Sequence, residues 1–243
     1  ITKIAASWQP GQEDPEVVKK RSQYERQWQY QAAIDVNGKS GNSDETNIGV
    51  NLEADLVSEQ DELNLAFSTT QSKSEGETTQ DETIGSARYA SYFTKRMGWF
   101  IRQELENDEF EGIDFRSSTS GGLDYRWIRR EDQKLSTSAG VGYRFESLTA
   151  GGDNKNPTLN FGLKHWYRYQ PWFTADTSLS LSPSVEDFSD YLLNHDTGFN
   201  VPVASSENWK LRFGLSNTFN SKPEAGKEEL DTTYYTRIIY GWD

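Results

Sequence analysis

The chain has 243 residues, 34% hydrophobic and 26% charged, with a formal net charge of −13 and a mean hydropathy of −0.84. That acidity leaves no basic face for nucleic-acid phosphates. The absence of cysteine excludes disulfide scaffolds, thiolate zinc sites and cysteine nucleophiles. Twelve Phe, twelve Tyr and eight Trp exclude a disordered acidic chain, which would be poor in aromatics. The longest uncharged stretch falls far short of the ~18 apolar residues of a spanning helix.

In chain order, residues 1–27 come first and are irregular, punctuated by Pro10, Gly11 and Pro15. Glu16 to Arg26 can form a short charged helix after Pro15, an allowed first-turn position, and the alternative is a frayed periplasmic tail. From Trp28 onward the chain reads in steps of two. Trp28, Tyr30, Ala32, Ile34 and Val36 alternate with polar neighbours, and so do Ile48, Val50, Leu52, Ala54 and Leu56. An amphipathic helix cannot hold a period of two, so these are strands with one apolar face.

The same pattern places twelve strands at about 28–37, 46–57, 62–70, 83–93, 97–106, 114–128, 134–147, 158–169, 172–182, 191–203, 209–219 and 231–242. The fourth and fifth alternate less cleanly and are placed from spacing and from Tyr89, Phe93, Trp99 and Ile101. Most are longer than the ~5–6 residues of globular strands and match the ~9–11 residues of a tilted membrane-crossing strand. A soluble β-sandwich also alternates, but with shorter strands and more Pro-broken edges.

Connections alternate between tight turns and longer Gly-, Ser-, Asp- and Glu-rich stretches. The longer set is 38–45, 71–82, 107–113, 148–157, 183–190 and 220–230. Short turns at one end and long loops at the other are the signature of an outer-membrane barrel, with both termini on the short-turn, periplasmic side. With slightly wider limits the long set carries a formal charge of −14, so the acidity is concentrated at one rim. Aromatic residues near the strand ends, among them Trp28, Tyr30, Tyr125, Trp127, Tyr143, Phe145, Trp209 and Trp242, have the distribution of interfacial girdles.

The opposite face is polar. Its candidate pore-lining residues are Arg102, Glu104, Arg116, Arg126, Arg144, Glu146, Lys164, Arg168, Asp176 and Arg212. Charges of both signs there fit either an internally salt-bridged barrel or a selective pore wall. The two histidines, His165 and His195, fall in the lipid-facing phase. A triad needs a base touching both a nucleophile and an orienting group, and no outward Ser stands beside either. Packing or a hydrogen bond is the better reading, and no catalytic residue is assigned. Acid-rich stretches such as 106–111 and Glu186-Asp187 lack the spaced ligands and turn glycine of an EF-hand loop. No metal or cofactor is assigned.

Several stretches resemble a known family. They are Ser40-Gly41-Asn42-Ser43-Asp44, the run from Arg88-Tyr89 through Glu104 to the E-x-D-x-F-x-G-I-D-x-R segment ending at Arg116, Gly122-Leu123-Asp124-Tyr125, and the Pro223 to Asp231 hairpin. Together these resemble the "salt-induced outer membrane protein" family, also called domain of unknown function 481, over about Trp28 to Trp242. The resemblance implies a Gram-negative outer-membrane barrel and supplies no catalytic residues. Such barrels generally end in an aromatic used for insertion, which Tyr240-Gly241-Trp242 provides before Asp243.

The expected architecture is all-β: a 12-stranded antiparallel up-and-down transmembrane β-barrel over 28–243, preceded by a periplasmic segment over 1–27. The expected function is non-enzymatic, either a narrow passive channel for small polar solutes or a sealed barrel acting as a surface or envelope-assembly module, with a lipid-modifying enzyme as a remote alternative. Expected partners are outer-membrane lipid, lipopolysaccharide and an envelope protein.

Overall fold

A computed structural model describes residues 13–14, 17, 25–39, 45–110, 112–203, 206, 208–223 and 228–243. The first six strands are β1 (Gln27–Lys39), β2 (Glu45–Val57), β3 (Asp61–Ser74), β4 (Glu77–Tyr92), β5 (Met97–Asp108) and β6 (Ile113–Arg129). The remainder are β7 (Gln133–Leu148), β8 (Asp153–Gln170), β9 (Phe173–Pro183), β10 (Tyr191–Pro202), β11 (Trp209–Asn220) and β12 (Leu230–Trp242). Each pairs antiparallel with its sequence neighbours, and β1 pairs with β12 to close the barrel. Closure removes the sheet edge, which in a bilayer would leave unsatisfied N–H and C=O groups at several kcal/mol each. The expected 12-stranded antiparallel barrel is therefore what the chain forms.

Following hydrogen-bonded partners round the wall from Ala32, mid-β1, leads through Leu52, Phe67, Gly85, Leu105, Ser117 and Phe145 to Lys155, near the long-loop end of β8. The strands are thus inclined to the axis, as closing a sheet requires.

The strands reach further than periodicity indicated, and mostly on the long-loop side. The stretch 71–82, expected as a loop, is the outer part of a β3–β4 hairpin turned at Glu75 and Gly76, both at positive φ (53° and 86°). Two successive left-handed residues form the tight turn that suits strand twist, which is why glycine occupies the second position. Side chains knit this extension together: Asn47 donates to Ser72 at 2.9 Å and Ser72 to Gln80 at 3.0 Å. Alternation fades there because both faces meet water, while backbone pairing continues. The SGNSD stretch over 40–44 and nearly all of the N-terminal helix expected over 16–26 lie outside the described residues. Arg26 is described, and its Nη2 donates to Asp61 Oδ2 at 2.5 Å on the short-turn rim.

The barrel is apolar outside and polar inside. Among the described residues the buried apolar side chains are Ala33, Ala90, Phe100, Ile113 and Ile239, fewer than the buried polar and charged ones. Outside, Val141 is 65% exposed and Ile34 and Leu123 are each 54% exposed. Aromatics bracket this belt. On the short-turn side Trp28, Tyr30, Trp242, Tyr240 and Trp209 run ring to ring, and Phe173 stacks on Phe199. On the long-loop side Phe115 meets Phe145 and Tyr191 stacks on Phe219. Two girdles around an apolar band are the exterior of a transmembrane barrel.

Candidate functional site: the charged lumen

Alternation directs one residue in two inward, and all twelve strands contribute to one internal cavity of about 670 Å³. Its long-loop part is largely hydroxyl and amide, with Ser118, Asn160, Ser180, Asn194 and Thr218 on the wall. Acids cluster toward that mouth, including Glu82, Glu106, Asp108 and Asp231. Toward the short-turn end the lining becomes a level of paired charges.

Arg212 on β11 is the most heavily bonded of these. Its Nη1 donates to Asp176 at 2.7 Å, its Nη2 to Asp196 at 2.5 Å and its Nε to the Tyr235 hydroxyl at 2.9 Å. Tyr235 in turn donates to Asp196 at 2.6 Å. The guanidinium and the phenol lie flat on the wall because Gly198 and Gly214 stand beneath them; a Cβ at either position would overlap Arg212 or Tyr235. On the neighbouring seam Arg237 of β12 grips Asp35 of β1, both bonds to Oδ1 and Oδ2 being 2.9 Å, so an ion pair joins the last strand to the first. Across the barrel Arg88 pairs with Asp124 and Arg102 with Glu104. Arg126 pairs with Glu62 and lies over the Tyr92 ring, 3.2 Å from its centroid.

Nearer the long-loop mouth, Arg116 donates to Glu106 at 2.6 Å and to Glu146 at 2.7 Å. Arg144 donates to Asp190 at 2.7 Å, while its Nε and Nη1 are buried without a hydrogen bond among the described residues. Glu82, Glu106 and Asp108 bring carboxylate oxygens within 4.8 Å of one another, and Arg116 already engages Glu106. At the rim itself Lys222 bonds Asp187, linking the loop after β9 to the loop after β11. That bond and a second one from Ser189 hold the Asp187 carboxyl below its ordinary range, and Asp187 raises the Lys222 ammonium above its own.

Of the ten residues expected to line the pore, Arg102, Glu104, Arg116, Arg144 and Lys164 line the cavity. Arg126, Glu146, Asp176 and Arg212 are inward members of the same pair networks. Arg168 shares the inward phase of Lys164 on β8, nearer the short turn, and lies over Trp166, 5.2 Å from the ring centroid. Arg88, Tyr92 and Tyr235 were not anticipated; for Arg88 and Tyr92 the reason is that β4 alternates weakly.

The exterior holds a polar cluster that the sequence reading had not anticipated. His195 Nε2 is 3.0 Å from Thr197 Oγ1, and His195 Nδ1 is 3.0 Å from the Asn217 amide nitrogen. A hydroxyl, an imidazole and an amide thus stand in line on the lipid-facing side. Thr232 donates to Asn217 Oδ1 at 2.8 Å, which turns the Asn217 amide nitrogen toward His195. The imidazole proton then sits on Nε2 and points at Thr197, the reverse of what a general base requires. Thr197 also bonds Thr177 at 2.7 Å, so the group is a satisfied hydrogen-bond chain on the wall. His165 bonds Gln133 at 3.1 Å.

Solved structures share this architecture. An outer-membrane channel from Pseudomonas putida F1 is similar with a TM-score of 0.51 at 9% identity, over 88% of this chain and 94% of that one. The porin NanC (TM-score 0.48, 8% identity, 88% and 98% covered) and the KdgM porin (0.44, 13%, 88% and 99%) are also similar. At these identities the likeness is one of fold, and it is the fold of outer-membrane barrels. No curated protein matches. The family described as "Protein of unknown function, DUF481" matches residues 32–242, from within β1 to the end of β12, and the chain belongs to that family.

Proposed function

We propose that the protein is a passive channel of a bacterial outer membrane, passing small polar solutes, with both termini on the periplasmic side. The observation that carries this is the single polar-walled cavity of about 670 Å³ to which every strand contributes. Its wall offers hydroxyls, amides and neutralised ion pairs, which exchange hydrogen bonds with a hydrated solute at little net cost. Passive transit needs no reacting group, and the lumen presents paired charges rather than a nucleophile with its base. The stretch before β1 lies on the periplasmic side in this reading, and Arg26, next to β1, pairs with Asp61 at the barrel rim. Acids at the long-loop rim face lipopolysaccharide, bridged by cations.

Planar-bilayer recording tests the reading. Purified protein inserted from detergent gives discrete steps in potassium chloride, and liposomes containing it swell in isosmotic small polyols. Absence of conductance at every voltage, with the barrel shown to be folded by heat-dependent electrophoretic mobility, would refute it.

A further inference from the structure

The arginines of the charged level are already committed. Arg88, Arg102, Arg212 and Arg237 each hold a carboxylate partner. A fixed, neutralised pair acts on a passing ion as a short dipole, whose field dies away faster than that of a single charge. Two inward groups at the same level are different. Glu53 lies between outward Leu52 and Ala54 on β2, and Lys164 between outward Leu163 and His165 on β8. Lys164 lines the cavity, and Glu53 is exposed in the inward phase of β2. Neither makes a hydrogen bond or an ion pair with a described residue, and they do not pair with each other.

The strand order shows where they point: β2 and β8 stand six strands apart in the ring of twelve, so the two inward side chains project from opposite walls. Lys164 acts on Arg88, Arg102, Glu62 and Asp55, all on β2 to β5, across the barrel from β8. Glu53 acts first on Asp55, two residues on along the same inward face of β2, and then on Lys164, Arg237 and Arg212 across the lumen. A free carboxylate and a free ammonium therefore face each other through the water of the lumen.

We infer that Glu53 and Lys164 are the specificity-determining pair of this lumen, their opposed charges setting a transverse field that fixes ion selectivity and orients solutes carrying separated positive and negative ends; this rests on the channel reading. A unit charge ~5 Å from a permeating ion in water changes its local population by about fourfold. Screening shortens with ionic strength, the Debye length being about 10 Å at 0.1 M salt, so the effect is read at low salt.

The experiment measures reversal potentials in a dilute potassium chloride gradient across planar bilayers. Glu53→Gln shifts the chloride-to-potassium permeability ratio toward chloride by up to about sixteenfold, about fourfold from each ion, and Lys164→Gln shifts it toward potassium by a similar factor. The swap Glu53→Lys with Lys164→Glu returns the ratio close to that of the wild type. Heat-dependent mobility confirms that each variant is folded, as expected when neither side chain holds a partner. If the wild type conducts and both neutralising variants leave the ratio unchanged, the pair is not the selectivity element and the channel reading stands. If the folded wild type does not conduct, both readings fall together.

Discussion

Replacing Arg212 by Ala removes one guanidinium and leaves Asp176 and Asp196 without their cation, Asp176 keeping only its bond from Asn200 and Asp196 only its bond from Tyr235. Asp176 loses its bond at 2.7 Å, Asp196 its bond at 2.5 Å, and Tyr235 its bond at 2.9 Å. Removing one partner of a fully buried pair costs about 3–5 kcal/mol, because the other charge is left desolvated. Here the side chains of Asp176 and Asp196 are 33% and 35% exposed, so lumen water recovers part of that loss. The expected destabilisation is then about 2–3 kcal/mol, close to one strong charge-assisted bond. Urea unfolding of the barrel in lipid vesicles, followed by tryptophan fluorescence and electrophoretic mobility, measures it. Adding Asp176→Asn and Asp196→Asn to Arg212→Ala removes the unpaired charges and recovers more than half the loss. Lys210→Ala, an exposed inward cation on the same strand, stays within about 0.5 kcal/mol of wild type. A change for Arg212→Ala no larger than that, or a triple variant no better than the single, would show that the pair network does not hold the wall.

Gly198→Ala sets a methyl against the guanidinium and destabilises by about 1–3 kcal/mol; in the Arg212→Ala background the penalty disappears, and a double-mutant cycle on the same urea assay reads the coupling. Val141→Arg places a charge in the lipid belt and costs about 2–4 kcal/mol in vesicles, whereas a neutral result there would mean that this face does not meet lipid. At the long-loop rim the Asp187 contribution is present above the ordinary carboxylate pKa of about 3.9 and is lost only as pH falls through its depressed value. The Lys222 contribution is present below the ordinary ammonium value and is lost as pH rises through its raised one. Protection of amides 184–190, relative to their intrinsic exchange rates, is therefore flat across neutral pH and falls in strong acid, and Asp187→Asn lowers it at neutral pH as well; an Asp187→Asn protection equal to wild type at neutral pH would remove the tether.

Most of the fold was legible because lipid imposes a period of two on every strand it touches. The short-turn ends came out within a few residues, since turns such as 171–172 are brief and aromatic girdles mark the boundary. At the other end the reading stopped where the lipid stops: β3 runs to Ser74 and β8 begins at Asp153 although their alternation ends earlier. The charged residues of cleanly alternating strands, such as Arg126, Lys164 and Arg212, were readable as inward. Their partners were not, because pairing depends on register across strands distant in sequence. Arg212 finds Asp176 two strands away, and Arg237 finds Asp35 only when the barrel closes. The exterior chain through His195 was missed for the same reason, Asn217 lying on the next strand.

The acidity gains a position from the same geometry. The segments carrying the net charge include 71–82, which are paired strand rather than loop, so their acids stand on a rigid wall above the lipid. Below them the lumen charges cancel in pairs. In the channel reading an ion first meets the acidic mouth formed by Glu82, Glu106, Asp108 and Asp231, which enriches cations near the entrance, and only then the level where Glu53 and Lys164 face each other. Entry and transit are therefore separable. Neutralising mouth acids lowers cation conductance most at low salt while keeping the sign of the response to Glu53→Gln and Lys164→Gln. The reverse substitutions change the permeability ratio with the mouth intact. Two charge layers acting in series predict additive effects, because the layers share no side chain.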